Sequence, residues 1–230
     1  MKSYTLTTAP AIEPVTRADV LSYMRVESGA EDALIDLLIP AARDYVEQST
    51  GRALITQTWT MTAPTFNERQ ASFPATVQAF GITGPSYYYA TLAGVNPIFG
   101  SEWNAVTLDR TPLASVASVL YYPADGNAQV TMSSSVYQVV TGGEPGRILP
   151  TLGNAWPSLA DRPDAVQIQF TAGYGATAAS VPALLRLAIC SLTAWFYEQR
   201  QPVNLGNIVN QLPHSLDAIL LKYRVRGMIG

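Results

Sequence analysis

Catalytic and metal-binding residue types are scarce in this chain. One cysteine, Cys190, and one histidine, His214, occur in 230 residues. No internal disulfide can form and no multi-cysteine zinc site can be built, so a reducing compartment is the simplest setting. Any Ser-His-Asp or Cys-His mechanism would have to run through His214, and there is no Gly-x-Ser-x-Gly elbow to supply its nucleophile. Between Pro213 and Ser215, His214 reads as a capping or surface histidine. Cys190 falls inside an apolar helical pattern, where a cysteine acts as a small hydrophobe. A catalytic thiol needs an exposed, electropositive setting instead.

Charge is also scarce. Asp, Glu, Lys and Arg make up 13% of the chain, about half the usual share of roughly 25%. A soluble chain with so few charges points to a surface covered by other subunits. The 14 basic residues are outnumbered by 17 acidic ones, so the basic excess of a strong nucleic-acid binder is missing. A weakly acidic wall past which DNA slides remains compatible with this balance. Long hydrophobic runs are absent too: the longest, Val181 to Phe196, is interrupted by Arg186 and is too short for a comfortable membrane span. Met1 to Pro14 lacks the basic start and apolar centre of a signal peptide.

What is present is enough apolar residue, 48%, for one packed domain with an insertion. Thr16 with Asp19 predicts the start of a helix running to about Arg25. Ser28 and Glu31 form a capping-box pattern for a second helix, with Leu34, Leu37, Leu38, Ala41, Tyr45 and Val46 as its core stripe. Asp32, Asp36, Arg43, Asp44 and Glu47 should face water or a neighbour. Pro40 interrupts this helix without shifting its phase, which predicts a kink rather than a break. Gly51 is placed to end it in the left-handed conformation.

Strand chemistry follows. Ile55 to Thr62, Val116 to Tyr122, Val136 to Val140 and Val166 to Thr171 are rich in β-branched and aromatic residues. In the last, Val166, Ile168 and Phe170 alternate with glutamines, marking a sheet with one buried face. Asp125-Gly126 is a turn signal. The glycine groups at 142–146 and 173–175 match no phosphate-binding fingerprint and read as turns. Asp161 and Asp164 flank Pro163 and read as turn formers more than as a catalytic or metal-binding pair. A third helix starts at Pro182, with Leu184, Leu185, Ala188, Ile189, Leu192, Trp195 and Phe196 facing the core. Pro202 ends it, a loop spans 203–211, and a short helix covers Ser215 to Tyr223. Between Ala63 and Ala105 stand four prolines and four glycines, which excludes a long regular element. This insertion carries Tyr87, Tyr88, Tyr89 and Trp103, aromatics suited to a protein interface or to stacking on sugars.

The predicted class is α+β: a bundle of three to four helices, a small antiparallel sheet between the second and third, and an inserted loop or β-excursion at 63–105. The first sixty residues carry five basic against eight acidic groups. From Arg200 onward the chain carries Arg200, Lys222, Arg224 and Arg226 against Asp217. One end of a copy is therefore suited to meet the opposite end of its neighbour, or an acidic partner.

Several phrases, in order, resemble one family. They are Pro14 to Asp19, Glu31 to Ile35, Ala41 to Glu47, Thr50 to Trp59, Pro112 to Val116, Pro145 to Ile148, Trp156-Pro157, Phe170 to Gly175, Val181 to Glu198 and Leu220 to Arg226. Together the set is similar to the head–tail connector (adaptor, or head-completion) proteins of long-tailed bacteriophages. Pro40 and the aromatic insertion depart from that pattern. The resemblance implies a single connector domain over 1–230 and a non-enzymatic virion subunit with no cofactor and no metal. It would be assembled in the host cytoplasm into a twelve-membered neck ring beneath the portal protein. It would pass DNA through its lumen without reading sequence, contact no membrane, and present a surface to a stopper or tail-completion protein. The C-terminal tail 224–230, with Arg224, Val225, Arg226, Met228 and Ile229, is the expected portal-binding element. The alternatives are another neck or tail-completion position, or a carbohydrate-binding module using the aromatic insertion.

Overall fold

The computed structural model describes residues 2–66, 105–126, 128–199 and 214–225, with His214 and Ser215 as backbone only. It is an α+β fold. β1 (Ser3–Thr8) precedes α1 (Arg17–Met24) and α2 (Asp32–Thr50). The strands β2 (Gln57–Ala63), β3 (Val106–Leu108), β4 (Leu113–Tyr121), β5 (Val130–Thr131), β6 (Tyr137–Val140), β7 (Gly146–Pro150) and β8 (Val166–Ala172) follow. Then come α3 (Ala183–Glu198) and α4 (His214–Tyr223).

The entrance to α1 is a reciprocal capping box: Asp19 N–H donates to Thr16 Oγ1 at 3.2 Å and Thr16 N–H to Asp19 Oδ2 at 2.8 Å. The expected box at α2 is replaced by another device. Glu31 stands at the cap without a side-chain bond. Asp32 instead accepts from Ser28 Oγ at 2.5 Å and from Gly29 N–H at 3.0 Å. A carboxylate accepts two donors at once, so it outcompetes a lone hydroxyl at a helix entrance. α2 then passes Pro40 as one helix and stops at Gly51, φ 72°.

The stripe expected to be the inner face of α2 is turned. Ile35, Ile39, Ala42 and Val46 are buried, whereas Leu37 is 67% exposed and Tyr45 38% exposed. Glu47, expected to face outward, is buried. Two apolar rows run along this helix a quarter to a half turn apart, and periodicity alone does not say which one meets α3. Leu184, placed in the core by its spacing, is likewise exposed, while Leu185, Ala188, Ile189 and Leu192 are fully buried.

Among the described residues, all strand pairs are antiparallel, in two sheets ordered β1-β2-β8-β4-β5 and β3-β7-β6. β8 is central in the first sheet. Its Val166, Ile168, Phe170 and Ala172 are buried and the residues between them are half-exposed, the predicted alternation. Phe170 sits opposite Trp59 of β2 and Val116 of β4. β1 was not foreseen, because as an edge strand it is exposed at nearly every position and shows no hydrophobic alternation. It places one strand of the sheet ahead of the first helix.

Two cores result. One lies among the helices, around Val20, Ile35, Val46, Leu185, Ile189, Leu192 and Leu216. The other lies beneath the sheets, around Met61, Leu108, Val119, Ile148, Ile168 and Phe170. Phe66, just beyond β2, is buried in the second core and stacks on Trp156 at 4.3 Å between ring centres. The chain therefore enters the 63–105 segment from inside the sheet core. The rest of that segment lies outside the described residues.

Candidate functional site

Among the described residues, those screened for chemistry do not converge. Cys190 is buried in α3, and burial pushes its thiol up to about 11, so the nucleophilic thiolate is suppressed. His214 opens α4, and its side chain lies outside the described residues. Asp164 is held by Arg162 in a two-pronged pair at 2.6 and 2.7 Å, with the guanidinium also 3.6 Å over the Tyr122 ring. That arrangement fixes a turn and leaves Asp161 exposed beside it. Among the described residues, no group of three or more His, Cys, Asp or Glu side chains is placed to hold a metal ion. No described helix is long and apolar enough to cross a membrane.

The structure does join four distant segments at Arg52. This side chain follows α2 and donates from Nε to the Tyr223 carbonyl at the end of α4, 2.5 Å away. Nη1 donates to Glu144 Oε1 at 2.7 Å and to the Tyr174 hydroxyl at 2.9 Å, and Nη2 to Glu144 Oε2 at 2.5 Å. The rings of Tyr174 and Tyr223 lie 5.9 and 5.8 Å from its guanidinium carbon. The Arg52 guanidinium holds the Glu144 carboxyl below its ordinary value. Burial raises the Tyr174 hydroxyl. The two glycine groups read as turns are thus the loops that deliver Glu144 and Tyr174. Gly173 has φ 135° and runs so close to Ile55 that a Cβ there would stand 2.7 Å from its backbone. No local signal marks Arg52, because each of its partners is remote in sequence.

Beside this junction the carboxylate of Glu47 is buried. It accepts from Leu54 N–H at 2.7 Å, Gln57 Nε2 at 2.8 Å and Arg43 Nη1 at 2.9 Å. Burial pushes it above the ordinary carboxylate value against the pull of these donors. Next to it a cleft of about 310 Å³ is lined by Asp44, Glu47, Gln48, Trp59 and Arg110. The Arg110 guanidinium covers the Trp59 ring at 4.6 Å.

The expected portal-binding tail begins inside the fold. Arg224 is exposed, but Val225 is buried and its N–H donates to the Thr50 carbonyl at 2.9 Å. The chain at Val225 is therefore pinned to the end of α2, next to Arg52. Arg226, Met228 and Ile229 lie outside the described residues, as do Tyr87, Tyr88, Tyr89 and Trp103.

Large exposed apolar side chains occur on all four described helices: Tyr23 on α1, Leu37 and Tyr45 on α2, Leu184 and Leu187 on α3, and Leu221 on α4.

No protein-family model matches the chain, and no curated protein does. Solved structures do. The chain is similar to a subunit in the neck of an empty gene transfer agent particle computed with six-fold symmetry: TM-score 0.68, 21% identity, 99% of this chain and 98% of that one. A chain in the virion of the native gene transfer agent particle matches with TM-score 0.67 and 22% identity over 99% and 97%. One in the native neck computed with twelve-fold symmetry matches with TM-score 0.63 and 20% identity over 99% and 98%. At these identities the likeness establishes a shared fold, carried over nearly the whole of both chains.

Proposed function

We propose that this chain is a structural ring subunit of the neck of a phage-like particle, a head–tail connector that docks beneath the portal, extends the DNA channel and joins head to tail. The observation that carries this reading is the end-to-end likeness to chains in two gene transfer agent necks and one gene transfer agent virion, in which neither chain has a large unmatched part. The low charge and the exposed apolar residues on the described helices support it, since both suit a surface shared with other copies. Its mechanism is assembly. Lateral contacts close the ring, the C-terminal tail from Arg224 reaches the portal, and the opposite face meets a stopper or tail-completion protein. DNA passes a weakly acidic lumen without being read.

The test is genetic and structural. Particles produced without this chain should accumulate as separate heads and tails, and supplying the chain should restore joined particles. Joined, infectious particles in its absence would contradict the neck role.

A further inference from the structure

α2 is apolar on two sides. Its inner side, around Ile35, Ile39, Ala42 and Val46, fills the helical core. Its outer side presents Leu37, Ala41 and Tyr45 at four-residue spacing, all exposed, over about 12 Å of helix. A row of exposed apolar side chains opposite the core-facing row is suited to a contact surface. The outer side also holds Asp44, met by the Gln48 amide at 2.7 Å and by no cation among the described residues.

α4 carries a matching surface of opposite charge. Leu221 is 71% exposed, with exposed Lys222 beside it and exposed Arg224 just beyond. Neither cation has an ion-pair partner among the described residues; Lys222 Nζ rests 5.9 Å from the Tyr223 ring. The inner faces of α2 and α4 meet one core, with Leu216 and Leu220 on the α4 side. The two outer surfaces therefore point away from that shared core. A chain cannot fold one onto the other, whereas a second copy can supply the missing half.

We propose that the outer row of α2 in one copy seats against the outer face of α4 in the next, Leu37, Ala41 and Tyr45 against Leu221, with Asp44 facing Lys222. This rests on the neck-ring reading and gives it a lateral contact. The occupant is a second copy because the patches match in apolar character and oppose in charge. A contact that joins two different surfaces can pass from copy to copy and, where the rotation closes, forms a ring.

The experiment uses particles from cells making two tagged forms of the full chain, both with Cys190→Ser, one with Asp44→Cys and the other with Lys222→Cys. A short bismaleimide should give covalent dimers containing both tags, and none in particles carrying either variant alone. Particles whose necks contain the chain but yield no mixed dimer would overturn the contact and leave the neck reading standing. So would linkage through Asp44→Cys alone, or preferentially to a Leu187→Cys form. Necks lacking the unmodified chain would overturn the neck reading, and the contact with it. A charge reversal gives a second readout: Asp44→Lys should lower incorporation at least tenfold, and adding Lys222→Asp should restore it. No recovery in the double variant, with circular dichroism unchanged, would also overturn the contact.

Discussion

Arg52 and Glu144, 92 positions apart in sequence, face each other in a two-pronged ion pair, with Nη1 2.7 Å from Oε1. Because Arg52 also holds the Tyr223 carbonyl, this pair fastens the last described helix to a loop of the sheet layer. Replacing Arg52 with Ala leaves that carbonyl and the Tyr174 hydroxyl without their donor. It should cost about 3 kcal/mol, within the range for breaking a largely buried charged network. Thermal unfolding measures the loss, and hydrogen exchange should show it concentrated in 214–223. The pH response has a defined sign. The Glu144 carboxyl lies below its ordinary value, so its contribution is present above that value and lost as pH falls through the folded one. Glu144→Gln should therefore lose stability less steeply in acid than the parent.

Glu47 should respond in the opposite sense. Burial raises its carboxyl, so its contribution is full below the ordinary carboxylate value and declines as pH rises through the folded one. Its three donors still need an acceptor. Glu47→Ala leaves the Leu54 N–H and the Gln57 amide unpaired in the interior, a loss of about 3 kcal/mol. Glu47→Gln keeps one acceptor and should lose less. Denaturant unfolding of the two variants at pH 7 provides the comparison.

Gly173 should tolerate no side chain. Its φ of 135° and its approach to the Ile55 backbone leave a Cβ nowhere to go. Gly173→Ala should destabilise by more than about 2 kcal/mol, the combined effect of strain and overlap. Gly29→Ala meets open space and should stay within about 0.5 kcal/mol of the parent. Both are read from melting temperatures.

The C-terminal tail can be separated from the fold only beyond Val225, which is buried and bonded to Thr50. A chain ending at Val225 should keep its melting temperature and lose attachment to the portal. A chain ending at Tyr223 should also unfold at lower temperature. Portal pull-down and thermal unfolding of the two truncations distinguish anchor from tail; undiminished attachment by the longer one would contradict the tail's role.

The elements with a clean local signature were legible in the sequence. The Thr16–Asp19 box, the stop at Gly51, the alternation in β8 and, apart from Leu184, the apolar face of α3 each follow from neighbours a few residues apart. What was not legible depended on partners. β1 is defined by its pairing with β2, since its own residues are nearly all exposed. The inner row of α2 was misread because Leu37, Ala41 and Tyr45 are as periodic as Ile35, Ile39 and Val46, and only the position of α3 selects between them. Arg52 stood in a recognised phrase, yet its role arises from Glu144, Tyr174 and Tyr223, which folding brings to it from three separate segments.

Electron microscopy of the purified chain, alone and mixed with the portal ring of the proposed particle, tests the central claim most directly. The account predicts a ring of about a dozen copies stacked coaxially on the portal, with α2 of each copy against α4 of the next. A chain that stays monomeric and leaves the portal bare would contradict it.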